Sequence, residues 1–463
     1  MKKILSTLII LIFSNLIIAQ TTAIPDPNFE QALIDLGYDS GMSDGTVLTA
    51  SIDTITSLRI DFKSINDLTG IHGFIALENL ICNSNFLTNL DLSQNTAINY
   101  LNCNYNDLTT LNVSQNFAIK TLACNNNDLT NLDLSQNTAL DSLDCHHNFL
   151  TILDVPQSIY LTYLNCGQND LTTLDVSQNT ALDSLNFDQN EIATIDLSQN
   201  TALTYLRCYD GGLTSLNLSQ NTALEFILCP YNGITALDVS QNTALEFLGC
   251  YHTQLTILDV SQNTLLTSLG CFDNQLTSLD LSQNTVLEVL VCQENQLTSL
   301  DLSQNTALEV LGCHENQLTC LNVKNGNNSN FNIFQADQNP NLTCIEVDIP
   351  GWSAAAWTNI DAQTSFSSNC NNACSNNPVG FEEINLSNLS LYPNPTTLKF
   401  TINLGEIKKD INATLKNSLG QIILTQQFES TDNIDMKIDA PTGIYFLQLE
   451  VDGEVISKKI IKE

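Results

Sequence analysis

Basic side chains are scarce: 15 Lys and Arg stand against 50 Asp and Glu in 463 residues, a formal charge of 15 − 50 = −35 at pH 7. Nucleic-acid binding draws most of its affinity from clustered Lys and Arg on phosphates. Residues 64–323 hold only Lys120 and Arg207 against 27 acidic side chains, which excludes nucleic acid as a partner. Aromatic residues (7%) and charged residues (14%) are thin for an enzyme of this size, whereas 43% hydrophobic residues rule out a disordered chain. Long apolar runs are missing too. Ile4–Ile18 is broken by Ser6, Thr7, Ser14 and Asn15, and no later stretch approaches the ~20 apolar residues of a membrane span, so no transmembrane helix is expected. With Met1, Lys2 and Lys3 before it and Ala19 after it, this run reads as a secretory signal peptide over residues 1–19, with no Cys behind it for a lipid anchor.

What is present is a repeat. Cys82, Cys103, Cys124, Cys145, Cys166, Cys208, Cys229, Cys250, Cys271, Cys292 and Cys313 fall on one 21-residue grid, and Phe187 fills its single gap. The unit is plain in Leu287 to Ala307, where Leu287, Leu290, Cys292, Asn295, Leu297, Leu300 and Leu302 hold the fixed positions. Period and pattern resemble the leucine-rich repeat family over residues 55–348, about 14 coils from a degenerate first at Ile60 to a last at Ala336. No such coil buries its apolar face alone; stacking does that. Leu290 and Cys292 alternate inward on a short strand, leaving Val289, Val291 and Gln293 on the other face. At ~4.8 Å per strand the stack spans an arc of roughly 65 Å. The following D-L-S-Q-N-T segment alternates again and predicts a second short strand with a tight turn. The fold class is therefore mainly β.

The repeated columns have structural readings. Asn106, Asn127, Asn148, Asn169 and Asn190 sit at the bend after the strand, where stacked amides bond neighbouring coils; Gly211 and Thr253 interrupt that ladder. The grid cysteines read as reduced core thiols, because side chains ~4.8 Å apart exceed the ~3.8 Å Cβ separation a disulfide prefers. Cys320 and Cys344 instead lie off the grid on adjacent final coils. A disulfide between them, with Cys370 and Cys374 as a second pair, would clamp the end of the stack, but four cysteines allow three connectivities and all stay open. Asp133, Asp154, Asp175, Asp196, Asp238, Asp259, Asp280 and Asp301 repeat at one position. Neighbouring unit charges ~4 Å apart repel by about 1 kcal/mol even in water. Either turn groups bind these carboxylates or cations screen them, although the glycine-rich calcium motif of β-rolls is absent.

Both ends of an open stack need caps. Residues 20–54 are expected to supply the first, with an amphipathic helix of about ten residues carrying Phe29, Ala32, Leu33 and Leu36 and closed by Gly37. Residues 349–386 are expected to supply the other, built on Trp352 and Trp357, before a Ser- and Asn-rich linker over 367–386. From residue 387 to 463 the repeat is gone and eight of the thirteen lysines appear. Alternating runs at Leu398–Leu404, Ala413–Leu415, Gln421–Thr425, Ile434–Ile438 and Ile444–Val451 predict a small antiparallel β-sandwich. Tyr392-Pro393-Asn394-Pro395, Ser418-Leu419-Gly420-Gln421, Gly443-Ile444-Tyr445-Phe446, Gly453 and Lys458-Lys459-Ile460 together make this tail similar to the type A C-terminal sorting domain of type IX secretion substrates. The resemblance implies recognition by the outer-membrane translocon, removal by a cell-surface sortase, and anchoring or release outside the cell.

Most outward strand positions carry small or amide side chains. The middle coils differ, with Tyr163, Tyr205, Arg207, Tyr209, Asp210, Phe226, Leu228, Tyr231, Phe247, Tyr251, His252 and Phe272, most of which adjacent strands are expected to bring into one patch. Exposed aromatics with a single Arg are the composition of an interaction hot spot. Protein or glycan suits such a patch, and rings packed together merely to shield one another are the alternative. His72, His146, His147, His252 and His314 form no nucleophile or metal constellation, so neither a catalytic residue nor a metal or cofactor is assigned. The expected protein is a secreted or surface-anchored binding or adhesion module. A structural coat protein without a specific ligand is the second reading.

Overall fold

The computed structural model of the chain describes residues 20–370, 374, 390–392, 396–417, 422–441, 443–451 and 454–462. The chain divides into two compact units, Met1–Asn376 and Asn377–Glu463.

In the first unit every coil contributes one three-residue strand to a 14-stranded parallel sheet that runs without crossover from Ser57–Arg59 to Ile333–Gln335. Because side chains alternate, the central residue of each strand points inward, and Leu290, its neighbour Cys292 and the flanking Leu287, Leu297, Leu300 and Leu302 are all fully buried. The eleven grid cysteines are free and buried. Burial pushes the Cys103, Cys166 and Cys229 thiols up to about 12, so they stay protonated and act as small apolar side chains.

Two asparagine ladders hold the coils together. At the bend, Asn148 Nδ2 donates to Cys124 O (3.2 Å) and Cys145 O (3.0 Å), while its Oδ1 accepts from Leu129 N at 3.0 Å. Neighbours bridge both interruptions: Asn232 Oδ1 accepts from Gly211 N and Leu213 N, and Thr253 Oγ1 lies 2.6 Å from Asn274 Oδ1. The second ladder runs through the Asn of S-Q-N-T, where Asn116 Nδ2 donates to Leu92 O (3.0 Å) and Asn95 O (2.9 Å). This corrects the expected second strand. Over most of the array the segment forms a turn closed by its own backbone bonds, apart from one bridge between Asp91 and Asn112. Only the last coils build a second parallel sheet, from Ser299–Asp301, Cys320–Asn322, Cys344–Glu346 and Ser365–Ser367.

At the N-terminus the helix Pro27–Asp35 starts at Asp26, whose Oδ1 accepts from Asn28 N and Phe29 N. Its Oδ2 accepts from Asn66 N (2.7 Å) and Asp67 N (3.0 Å), pinning the cap to the first coil. Phe29, Ala32 and Leu33 are buried, whereas Leu36 follows the helix and is exposed. A two-stranded antiparallel sheet, Thr21–Ala23 with Thr46–Leu48, was not anticipated. At the other end, after the helix Pro350–Ala356, Trp357 is buried and stacks on Phe334 at 3.9 Å, and Trp352 meets it edge-on at 5.7 Å. Two nested disulfides, Cys320–Cys374 and Cys344–Cys370, fasten this cap. The suggested Cys320–Cys344 pairing is therefore not formed. Chain returning through Ser365–Ser367 brings Cys370 and Cys374 back over the last coils, so the beginning of the expected linker belongs to the cap.

The second unit is a five-stranded antiparallel sheet. The runs expected as separate strands merge into Lys399–Asn417 and Ile422–Lys437, because the polar residues between them need no burial. A register shift between Asn403 and Lys408 changes the parity of the inward positions, from Phe400, Ile402 and Leu404 to Ile411, Ala413 and Leu415, and all six join one buried core.

Candidate binding face

Parallel register places Tyr205, Phe226 and Phe247 side by side at the first position of three neighbouring strands. Their ring centroids are 4.5 and 4.4 Å apart with planes within 9° and 8°. That spacing nearly equals the ~4.8 Å between strands, so the rings lie face on face along the stack and turn their edges to solvent. Ser184 and Ser268 end the row on either side.

A second row follows the grid cysteines. Tyr251 stacks on Phe272 at 4.3 Å, Tyr231 stacks on His252 at 4.2 Å, and Tyr231 joins Tyr209 and Tyr251 edge-on at 6.5 and 5.9 Å. Asp210, Tyr231 and His252 occupy a left-handed turn position with φ of 50°, 55° and 50°, a strain of ~1–2 kcal/mol each. Their N–H groups donate to Pro230, Tyr251 and Phe272 carbonyls of the next coil, which holds the turn and aims the side chains outward. Between the rows lie Arg207, Leu228 and Gly249. A Cβ on Gly249 would meet Leu228 Cδ1 at 2.6 Å and Phe247 Cε1 at 3.3 Å, so the glycine lets these side chains close over the sheet.

Of the twelve expected residues, Tyr163 stands apart, exposed and separated from Tyr205 by Ser184. The others gather on one face. Sequence reasoning missed Asp188, a buried carboxylate that ion-pairs with Arg207 and accepts from Tyr209 N at 2.8 Å. Burial pushes its pKa up, opposed by that N–H and by the Arg207 charge. Arg207 also sits 5.6 Å from the Tyr209 ring centroid, a cation–π distance. Its place in the column of Tyr209 and Tyr251 was the available signal for Asp188. His252 Nδ1 is likewise bonded to the Asp273 carboxylate. His146 Nδ1 lies 2.6 Å from Asp144, while His147 occupies the left-handed turn, and no group of three or more metal-binding side chains occurs among the described residues.

The Asp column is held by the turn. Asp133, Asp175, Asp196, Asp238, Asp259, Asp280 and Asp301 each accept from the N–H of the Ser two residues on. Asn112 and Asn217 accept the same bond, so the position needs an oxygen and not a charge.

In the tail, Tyr445 is buried with its hydroxyl donating to Pro441 O at 2.6 Å, Gly443 opens a strand, and Tyr392 and Lys458 are exposed. Lys459 pairs with Phe446 across the sheet. Pro393, Asn394, Pro395, Gly420 and Gly453, like the signal peptide, lie outside the described residues.

A parallel solenoid of 21-residue coils with one aromatic face, followed in the chain by a separate antiparallel sheet, is the architecture of a leucine-rich-repeat protein with an added C-terminal domain. Residues 390–463 match the family described as secretion system C-terminal sorting domain. Internalin J of Listeria monocytogenes serotype 4b (strain F2365) is 40% identical over 72 residues, 16% of this chain, and the chain spans only 8% of that relative's length. Among solved structures, the functional domain of InlJ from Listeria monocytogenes, said to include a cysteine ladder, aligns with TM-score 0.66 and 29% identity over 96% of this chain and 99% of its own. An internalin, inlF, from Listeria monocytogenes strain 4b F2365 shares the fold at TM-score 0.54 and 20% identity, over 74% of this chain and 95% of its own. This chain is a leucine-rich-repeat protein with a type IX secretion sorting domain, and it is secreted or attached at the outer surface. No described helix is long and apolar enough to cross a membrane.

Proposed function

We propose that this protein is a non-enzymatic adhesion or binding module of the cell exterior, which captures a partner protein on the face built by Tyr205, Phe226 and Phe247. The single observation that carries this reading is the ring row itself. Faces stacked on one another leave only edges outward, an apolar ridge that suits a protein surface better than the flat face a sugar stacks on. Arg207 beside it, held by Asp188, adds a directional donor. The tail delivers this face: its translocon moves the chain across the outer membrane, and a sortase then removes residues 387–463. The coat-protein reading draws on the same stacking, since rings that cover one another also shield themselves.

The neighbouring coils supply the test. Ser184 and Ser268 occupy the same column, so Tyr205→Ser, Phe226→Ser and Phe247→Ser suit the fold. The exported chain and this triple variant are to be compared on arrays of extracellular proteins and of glycans. Protein binding lost in the variant, at an unchanged melting profile, supports the proposal. Identical binding by both would sink it, and no specific binding by either would favour the coat.

A further inference from the structure

The position after each grid Cys carries a side chain in the coils around Gly167: Asn104, Asn125 and His146 on one side, Asp188, Tyr209 and Pro230 on the other. Gly167 leaves it empty. The gap is a depression of about 220 Å³ lined by His146, Asn165, Asn186, Asp188, Arg207 and Tyr209, beside the aromatic rows. Two coil steps of ~4.8 Å separate its His146 and Asp188 walls, about 10 Å, the width for one six-membered sugar ring.

The lining is preorganised and polar. Asn186 Oδ1 accepts from Asp188 N at 2.9 Å, Asn165 Oδ1 accepts from Gly167 N at 3.3 Å, and Asp144 holds the His146 ring. Among the described residues no acceptor takes the Asn186 Nδ2 donors. Planar amides at fixed angles bind adjacent hydroxyls, and the Tyr209 ring offers an apolar wall for sugar C–H groups. The one cation present, Arg207, is neutralised by Asp188, and Asp144 stands behind His146, so an acidic sugar meets no free positive charge. We propose that this depression binds one neutral pyranose residue, at a site that shares Arg207 with the protein-binding face but none of its three stacked rings.

The test is saturation-transfer NMR on the secreted chain with millimolar methyl glycosides of glucose, galactose, mannose, N-acetylglucosamine and glucuronic acid. Transfer to at least one neutral glycoside is expected. Gly167→Asn, the side chain of positions 104 and 125, should abolish it, since a Cβ there already lies 3.3 Å from Asn186 Oδ1 and Asp188 O. Asn186→Ala should weaken it about tenfold, the loss of one good hydrogen bond. The Tyr205, Phe226 and Phe247 serine variant should keep it, which separates this site from the protein-binding ridge. No transfer to any neutral glycoside, transfer to the glucuronide alone, or a signal indifferent to both substitutions would overturn the assignment.

Discussion

Asn221 and Asn232 make a direct comparison between the two ladders. Asn221 is fully buried, and its Nδ2 donates to Leu197 O and Asn200 O of the preceding coil, both at 2.9 Å. Each carbonyl keeps one turn bond, from Asn200 N and Leu203 N, and Asn221 Oδ1 has no partner among the described residues. Asn221→Ala therefore removes two bonds of ~0.5–1.5 kcal/mol and orphans no N–H, a loss of about 1–3 kcal/mol. Asn232 does more, because Gly211 has no amide of its own. It donates to Cys208 O, Cys229 O and Pro230 O and accepts from Gly211 N and Leu213 N. Asn232→Ala strands two N–H groups as well as removing donors, and should cost about 3–6 kcal/mol. In a solenoid such losses stay local. Hydrogen exchange read by mass spectrometry should show amides flanking position 221 about 5- to 150-fold less protected in the first variant, with a larger and wider loss around 211–232 in the second. If Asn221→Ala equals or exceeds Asn232→Ala, the ladders do not work by the bonds described.

Serine N–H groups hold the Asp133, Asp175, Asp196 and Asp238 carboxyls below the usual carboxylate range. Carboxyls lowered in the fold stabilise it above their unfolded value of ~3.9, and that contribution disappears as pH falls through the lower folded value. Asp196→Asn, copying Asn112 and Asn217, keeps the oxygen and gives up only the charge, so it should lower the melting temperature slightly at neutral pH and flatten its acid decline; an acid decline as steep as the parent's would refute the turn reading. Non-reducing peptide mapping should recover Cys320 with Cys374 and Cys344 with Cys370, and alkylation should reach the eleven grid thiols only after unfolding. A Cys320–Cys344 peptide, or fast labelling of the native chain, would contradict the structure.

The repeat was legible because its period is a covalent property of the chain. A Leu and a Cys two residues apart, returning every 21 residues, admit one parallel stack, and the coil count from Ile60 to Ala336 follows from counting. The cap residues Phe29 and Trp357 were legible as apolar groups with nothing else to cover. D-L-S-Q-N-T misled because alternation does not reveal which partner a carbonyl takes. In Asn116 the competing donor sits 24 residues after the Leu92 carbonyl it binds.

By itself, then, the sequence determined the stack, its inward face, its reduced thiols and its export tail, since each rests on spacing along the chain or on motif residues in combination. Tertiary structure alone decided how the four outer cysteines pair, that Asp188 holds Arg207, and that the rings meet face on face. It also decided that Gly167 opens a depression between two coils. All of these depend on side chains about one coil or more apart arriving at one point. Distance along the chain does not encode that meeting; the register and curvature of the stacked coils do.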